Sequence, residues 1–248
     1  MPTASKSNKK TTYLWVSIIV FIFGIVTIPS LVSRIKNGTI IDNNRLTLTP
    51  EVLYGSSEES LAYLMGPEGA RHIPDFSFTD QNGNILSPDE LKGKVVVLDF
   101  FFTTCPTICP RMNRNLVEVQ NTFKNEDNFG VASFSIMPET DTPEKLKEYA
   151  ENYGITNPNW HLMTGDKQDI YNLSNIGFNI FVDVENFEHS GDFALVDKNG
   201  FLRSRKDDFG NPKIFYKGVI SEQEKVDEDG NPQEISMLKE DIAKLLKE

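Results

Sequence analysis

The stretch Lys94-Val95-Val96-Val97-Leu98-Asp99-Phe100-Phe101-Phe102-Thr103-Thr104-Cys105-Pro106-Thr107-Ile108-Cys109-Pro110 decides how the rest of the chain is read. A continuous run of β-branched and aromatic residues marks a strand buried on both faces, as at the centre of a parallel sheet. The run stops at Thr103-Thr104, and beyond Pro110 the residues Met112, Leu116, Val119 and Phe123 recur at helical spacing. Proline fits the first turn of such a helix, where its missing N–H costs nothing. The two cysteines of the chain therefore stand at a strand-to-helix junction.

Downstream, a second strand is predicted from Phe129 to Ile136. Asp141-Thr142-Pro143-Glu144 is a helix start, with a polar cap, proline in the first turn and an acid at the positive end of the dipole. That helix runs to Tyr153 and stops at Gly154. Trp160 to Met163 gives a third strand, Lys167 to Ile176 a helix, and Asp192 to Leu202 a strand, an Asn-Gly turn and a returning strand. Glu234 to Leu246 closes the chain as an amphipathic helix. Upstream, Phe76, Phe78, Asn82-Gly83, Ile85 and Leu86 read as an opening hairpin. The order predicts an α/β domain over residues 72–248, with a mixed central sheet flanked by helices. Residues 203–231 fit this pattern poorly and are read as an insertion with a short hairpin of its own. Residues 34–71 are polar and irregular, as in a tether.

Between Lys10 and Arg34 there is no charged residue, and 12–33 is long enough to cross a bilayer as a helix. Lys6, Lys9 and Lys10 precede it without an acid, so the positive-inside rule places residues 1–11 in the cytoplasm and the domain outside it. The expectation is a single-pass membrane protein with an extracytoplasmic C-terminal domain, on the periplasmic side of the inner membrane in a bacterium. A cleaved signal peptide has a shorter apolar region and a small-residue cleavage site, and no Ala-x-Ala follows here.

The 248 residues carry a net charge of −11, which disfavours a nucleic-acid partner because phosphate neutralisation needs clustered Lys and Arg. Dividing the chain at the anchor sharpens this. The first 35 residues hold three lysines, one arginine and no acid, so everything beyond them carries −15. Two cysteines exclude a disulfide-dense scaffold and a four-cysteine zinc site.

Four residues is about one helical turn, so a turn-like segment puts both sulfurs on one side. They can close a disulfide or bind one metal ion as soft ligands. A helix N-terminus lowers a thiol pKa and favours the thiolate that both uses need. A disulfide closing so short a loop removes little chain entropy, which points to a reactive pair rather than a structural one. A metal needs more ligands, and the chain has three histidines. His72 at the domain edge and His161 inside a short strand read as packing residues. His189 stands in the polar loop Asn186-Phe187-Glu188-His189-Ser190-Gly191 before a strand, and spacing alone leaves ligand and loop roles open. Two thiolates and one imidazole suit copper(I) or copper(II) better than zinc, which wants a fourth protein ligand.

Phe102 to Pro110, Asp141-Thr142-Pro143-Glu144 with Leu146, Tyr149 and Ala150, Leu162 to Gly165, and His189-Ser190 followed by Leu195 to Gly200 resemble the Sco/SenC copper chaperones. The resemblance implies a thioredoxin-like fold, an N-terminal membrane anchor, and Cys105, Cys109 and His189 as copper ligands. It implies a part in assembling the binuclear copper site of cytochrome c oxidase. The partner would be the copper-receiving oxidase subunit or another copper chaperone. The same cysteines would form a redox pair, so a thiol-disulfide oxidoreductase acting on a metal-receiving partner is the alternative activity. Asp99 resembles the buried carboxylate that thioredoxins carry six residues before the first cysteine, a proton relay during thiol exchange. Thr107 and Met137 depart from the family pattern, which has Asp at both places. A thiol peroxidase, with Arg111 or Arg114 activating a cysteine, is a third and weaker reading.

Overall fold

The computed structural model describes residue 21 and residues 60–183, 188–207 and 210–248, with the backbone alone for Glu188 and His189. The chain divides into two compact units, Met1–Thr47 and Leu48–Glu248. Of the first, only Phe21 is described, an exposed helical residue. The predicted anchor, 12–33, otherwise lies outside the described residues, as does 34–59 of the predicted tether. No helix among the described residues is long and apolar enough to cross a membrane.

The second unit opens with the short strands β1 (Ala62–Tyr63), β2 (Met65–Gly66) and β3 (Gly69–Ala70). The predicted hairpin follows as β4 (Phe78–Asp80) and β5 (Ile85–Leu86), then a 3-10 turn, Pro88–Leu91. The apolar run forms β6 (Val95–Phe101), and the residues after it form α1 (Cys109–Thr122). Next come β7 (Phe129–Ser135), α2 (Pro143–Tyr153), β8 (Trp160–Thr164) and α3 (Lys167–Asn172). After α3 the predicted helix widens into one π-type turn, Leu173–Phe178. The remainder is β9 (Val182–Asp183), β10 (Glu188–His189), β11 (Asp192–Val196), β12 (Leu202–Ser204), β13 (Tyr216–Lys217) and α4 (Ile235–Lys247).

The main sheet runs β1-β12-β11-β6-β7-β8-β4-β5. β6, β7 and β8 are parallel, whereas β11 and β4 add antiparallel to the two sides of that core. Every residue of β6 and of β7 is buried, as expected for strands covered on both faces. The pairing of β1 with β12 extends the sheet into the stretch read as tether.

Side-chain alternation separates the two faces. Phe100 points one way, into an aromatic cluster in which its ring lies 5.3 Å from Phe134 and 6.2 Å from Phe178 of the π-type turn. Phe101 points the other way, with its ring 5.4 Å from Tyr149 of α2. Asp99 shares the Phe101 face. There Ser133 Oγ donates to Asp99 Oδ1 at 2.5 Å, and Trp160 Nε1 donates to Ser133 Oγ at 3.1 Å. Asp99 is fully buried in mid-strand, as the resemblance to a buried thioredoxin carboxylate implies.

The ends of α2 follow the sequence signals. Thr142 caps it, its hydroxyl accepting the N–H of Lys145, and Gly154 ends it at φ 71°, a left-handed value that glycine adopts without strain. The segment 203–231 forms a short hairpin of its own, with Lys206 bridged to Pro212 and the Lys213 N–H donating to the Arg205 carbonyl at 2.8 Å, and it is also tied to the sheet. β13 pairs with the first residues of β11, Asp192 opposite Lys217. From there the segment returns over α1, where Asn115 Nδ2 donates to the Gly218 carbonyl at 2.7 Å.

Candidate metal centre

The site is built where β6 ends. Thr103 donates from its backbone N–H to Asp141 Oδ2 at 3.0 Å and from its hydroxyl to Asp141 Oδ1 at 2.5 Å. Ser135, the last residue of β7, donates its hydroxyl to Asp141 Oδ2 at 2.6 Å. One buried carboxylate thus ties the start of the thiol loop to the end of the neighbouring strand. This role is absent from the reading of Asp141 as part of a helix cap. Thr142 alone performs that task.

Beyond Thr103 the chain turns, with the Cys105 N–H donating to the Phe102 carbonyl at 3.3 Å. Ile108 precedes α1 and offers no side-chain cap. Cys105 takes that place, because the Cys109 N–H donates to Cys105 Sγ at 3.5 Å. A sulfur at this position sits against the positive end of the helix, which favours a thiolate. The two cysteines carry thiols and no disulfide.

The thiols are unequal. Cys105 keeps 8% of its surface exposed and Cys109 none. Burial pushes the Cys109 thiol well above its ordinary range, and its hydrogen bond with Cys105 adds to the rise. Burial of Cys109 thus works against the thiolate that a helix N-terminus favours. Beneath it, Asn113 Nδ2 donates to the Cys109 carbonyl at 3.1 Å and to Tyr149 Oη at 2.6 Å, fixing the first turn of α1 against α2.

His189 reaches the same end of the sheet by its backbone. β10 pairs with β9, His189 opposite Val182, and the Ser190 N–H donates to the Phe181 carbonyl at 3.1 Å. Gly191 follows at φ 70°, where a Cβ would stand 3.4 Å from Ile108 Cδ1 and 2.7 Å from Val219 Cγ2. The left-handed φ and the 2.7 Å approach to Val219 call for glycine here, two residues after His189 and next to Ile108 of the thiol loop. Among the described residues no group of three His, Cys, Asp or Glu side chains is placed to hold a metal ion, and the side chain of His189 lies outside them.

The other histidines are structural, as their surroundings predicted. His72 bonds the Ile73 and Asn199 carbonyls through its two ring nitrogens, at 3.0 and 2.9 Å. His161 Nδ1 lies 3.4 Å from Asp80 Oδ2, and burial holds its pKa below the ordinary value against the pull of that carboxylate. Arg111, named in the peroxidase reading, pairs with Glu224 at 2.7 Å on the surface, which weakens that reading.

A family model described as SCO1/SenC matches residues 65–221. The chain belongs to the SCO1/SenC family. The thiol loop, the turn after β7 and the His189 strand all fall inside that match, as does the first part of the segment 203–231. A SCO1 protein homolog of Bacillus subtilis (strain 168) is 35% identical over 156 residues, 60% of this chain and 80% of that one. A Stutzerimonas stutzeri protein named for copper binding is 32% identical over 144 residues, 54% of this chain and 68% of that one. Among solved structures, BsSco is described as a member of the Sco family of cytochrome c oxidase assembly proteins, with a disulfide switch. It superposes with a TM-score of 0.56 at 27% identity, over 71% of this chain and 94% of that one. The mixed sheet with helices on both faces is thus the thioredoxin-like architecture of SCO1/SenC structures.

Proposed function

We propose that this SCO1/SenC chain is a membrane-anchored copper chaperone that carries copper on Cys105, Cys109 and His189 and hands it to the receiving subunit of cytochrome c oxidase. Residues 12–33 would anchor it, with residues 1–11 in the cytoplasm and the domain outside. The observation that carries the reading is the pair of thiols at one helix start, the Cys109 N–H on Cys105 Sγ at 3.5 Å. The copper-binding name of one relative and the oxidase-assembly description of another support it.

The donor chemistry fits the cargo. Copper(I) is satisfied by few, soft ligands, and two thiolates with one imidazole supply them. A thiol must lose its proton to bind, so loading releases protons. The raised pKa of Cys109 then keeps that thiol protonated in the empty site, so the site is not a reactive thiolate pair. Partial exposure of Cys105 and of the rim gives a partner thiol a place to attack while Cys109 stays covered.

The test is the copper(I) and copper(II) affinity of the reduced, full-length protein, with and without His189→Ala. The expected result is tight binding by the wild type and a loss of at least about tenfold in the variant. Absence of copper binding by the wild type would sink the reading.

The inequality of the thiols favours a second activity, reduction of a partner disulfide. The Cys105 thiolate attacks one partner sulfur, which forms a mixed disulfide and releases the other as a thiolate. Cys109, losing its proton, attacks Cys105 and leaves a Cys105–Cys109 disulfide and a reduced partner. Asp99, buried on the face of β6 that meets α2, is the candidate proton acceptor for that step. Under this reading Cys105→Ser abolishes partner reduction and Asp99→Asn slows it, and an unchanged rate in Asp99→Asn removes the relay.

A further inference from the structure

We infer that Met137 supplies a thioether to the same copper ion, so that the site offers three sulfurs rather than two. The inference rests on the copper-chaperone reading above.

Met137 lies in the loop after β7, and its backbone is fixed beside the thiol loop. Its N–H donates to Ser135 Oγ at 3.1 Å, the hydroxyl that also donates to Asp141 Oδ2. Its carbonyl accepts the N–H groups of Thr140 and Asp141 at 3.0 and 2.9 Å, and the Thr140 hydroxyl at 3.2 Å. Asp141 in turn holds Thr103, so one carboxylate sets the spacing between the Met137 loop and the thiol loop.

The side chain faces that thiol loop. The Thr104 hydroxyl donates to Met137 Sδ at 3.9 Å, and Thr104 is the covalent neighbour of Cys105. Consecutive Cα atoms are about 3.8 Å apart, so the thioether contacts the residue next to Cys105. Methionine has three rotatable bonds beyond its Cα, and a rotamer change on the pinned backbone, turning the sulfur from Thr104 to Cys105, is the movement the inference requires. Met137 is partly exposed at this rim, so the swing does not require the core to open.

A thioether is a soft, neutral donor that prefers copper(I) to copper(II). Added to two thiolates, it biases the site towards the reduced ion without adding charge. The competing role is packing, since Met137 also lies against the hydrophobic core. Leucine keeps the volume and removes the sulfur, so it separates the two roles.

The experiment uses the reduced, full-length protein in detergent and the variant Met137→Leu. Copper(I) is buffered by a chromophoric chelator, and sulfur coordination is counted by X-ray absorption at the copper edge. The wild type is expected to show three sulfur neighbours and the variant two. Copper(I) affinity falls by about tenfold or more in the variant, while copper(II) affinity and the thermal midpoint stay unchanged. Equal sulfur counts and equal copper(I) affinity in the two proteins would overturn the inference and leave the chaperone reading standing. Absence of copper(I) binding by the wild type would overturn both.

Discussion

Two regions of the sheet bury carboxylates, and they stabilise them by different means. At the thiol end, Asp141 takes a backbone N–H and the hydroxyls of Thr103 and Ser135, and Asp99 takes the hydroxyl of Ser133. At the corner between β12 and α4, guanidinium groups do the same work. Arg203 Nη1 lies 2.8 Å from Asp197 Oδ2, and Arg205 Nε lies 2.7 Å from Asp241 Oδ2, which also accepts the Tyr216 hydroxyl at 2.7 Å. Under the proposed function the contrast has a logic. A guanidinium cannot lose its charge, and beside Asp141 it would oppose a copper ion bound at the thiols, whereas hydroxyl and N–H donors pin the loop with dipoles alone. The corner, where no copper ligand is proposed, can use the stronger, charged fastening.

The contrast is tested most severely at Arg203. Its side chain and that of Asp197 are both almost fully buried, and Arg203 also reaches the Leu61 carbonyl at 2.9 Å and Glu248. Arg203→Ala leaves Asp197 buried without its cation, a loss of about 3–5 kcal/mol in unfolding free energy by denaturant titration. Copper affinity, measured on the fraction that remains folded, should stay within twofold. A large loss of copper affinity in the folded fraction would show that the corner and the site are one unit, and the distinction drawn above would fail.

Asp141→Ala is the converse, with a smaller effect on stability and a larger one on the site. It strands the Thr103 N–H and two hydroxyls, at a cost of about 1–3 kcal/mol. It also frees the thiol loop from β7, so copper affinity should fall by about tenfold to a hundredfold. A stability loss with intact copper affinity would make Asp141 a fold residue only.

How far these roles could be read from sequence follows from the range of the interactions. The run from Val95 to Phe101, the cap at Thr142 with Gly154 eleven residues beyond Pro143, and the Asn-Gly turns are local signals, and each element stands where its signal does. The motif joining Cys105, Cys109 and His189 led to the family through residue types alone. The role of Asp141 was not legible, because Thr103 is 38 residues away and the helix start supplied a sufficient local reason for an acid. β13 was missed because two residues cannot show alternation, and only its pairing with β11, Lys217 opposite Asp192 and Tyr216 opposite Phe193, defines it. The helix widens at Leu173, beside a bond from Asn175 Nδ2 to the Val182 carbonyl at 3.0 Å, and helical periodicity does not encode it. The depth of Cys109 was misjudged for the same reason. A helix start is normally at a surface, and the cover here comes from elements far along the chain.

That cover has a pH signature, the smallest of the expected effects and the one that most directly separates the thiol end from the corner. The native Cys109 pKa is raised above the ordinary 9.0 by burial, so the native state holds the proton more tightly than the unfolded chain. Below the unfolded value both states are protonated and the full stability is present. Above it the unfolded chain loses the proton first, and stability falls by up to about 1.4 kcal/mol per pH unit until the native value is reached. Unfolding titrations in reductant at pH 8, 9 and 10 should show this decline in the wild type. Cys109→Ala is less stable throughout, but loses most of the slope between pH 8 and 9.5, below the range where the buried tyrosines Tyr149 and Tyr216 begin to contribute in the same direction. Alkylation supplies an independent readout, with Cys105 modified before Cys109 by at least about tenfold at pH 8. Equal slopes in the two proteins, together with equal alkylation rates, would mean that Cys109 is solvated like an ordinary helix-start thiol. Cys109 would then be an ordinary thiol rather than one whose proton is held by burial.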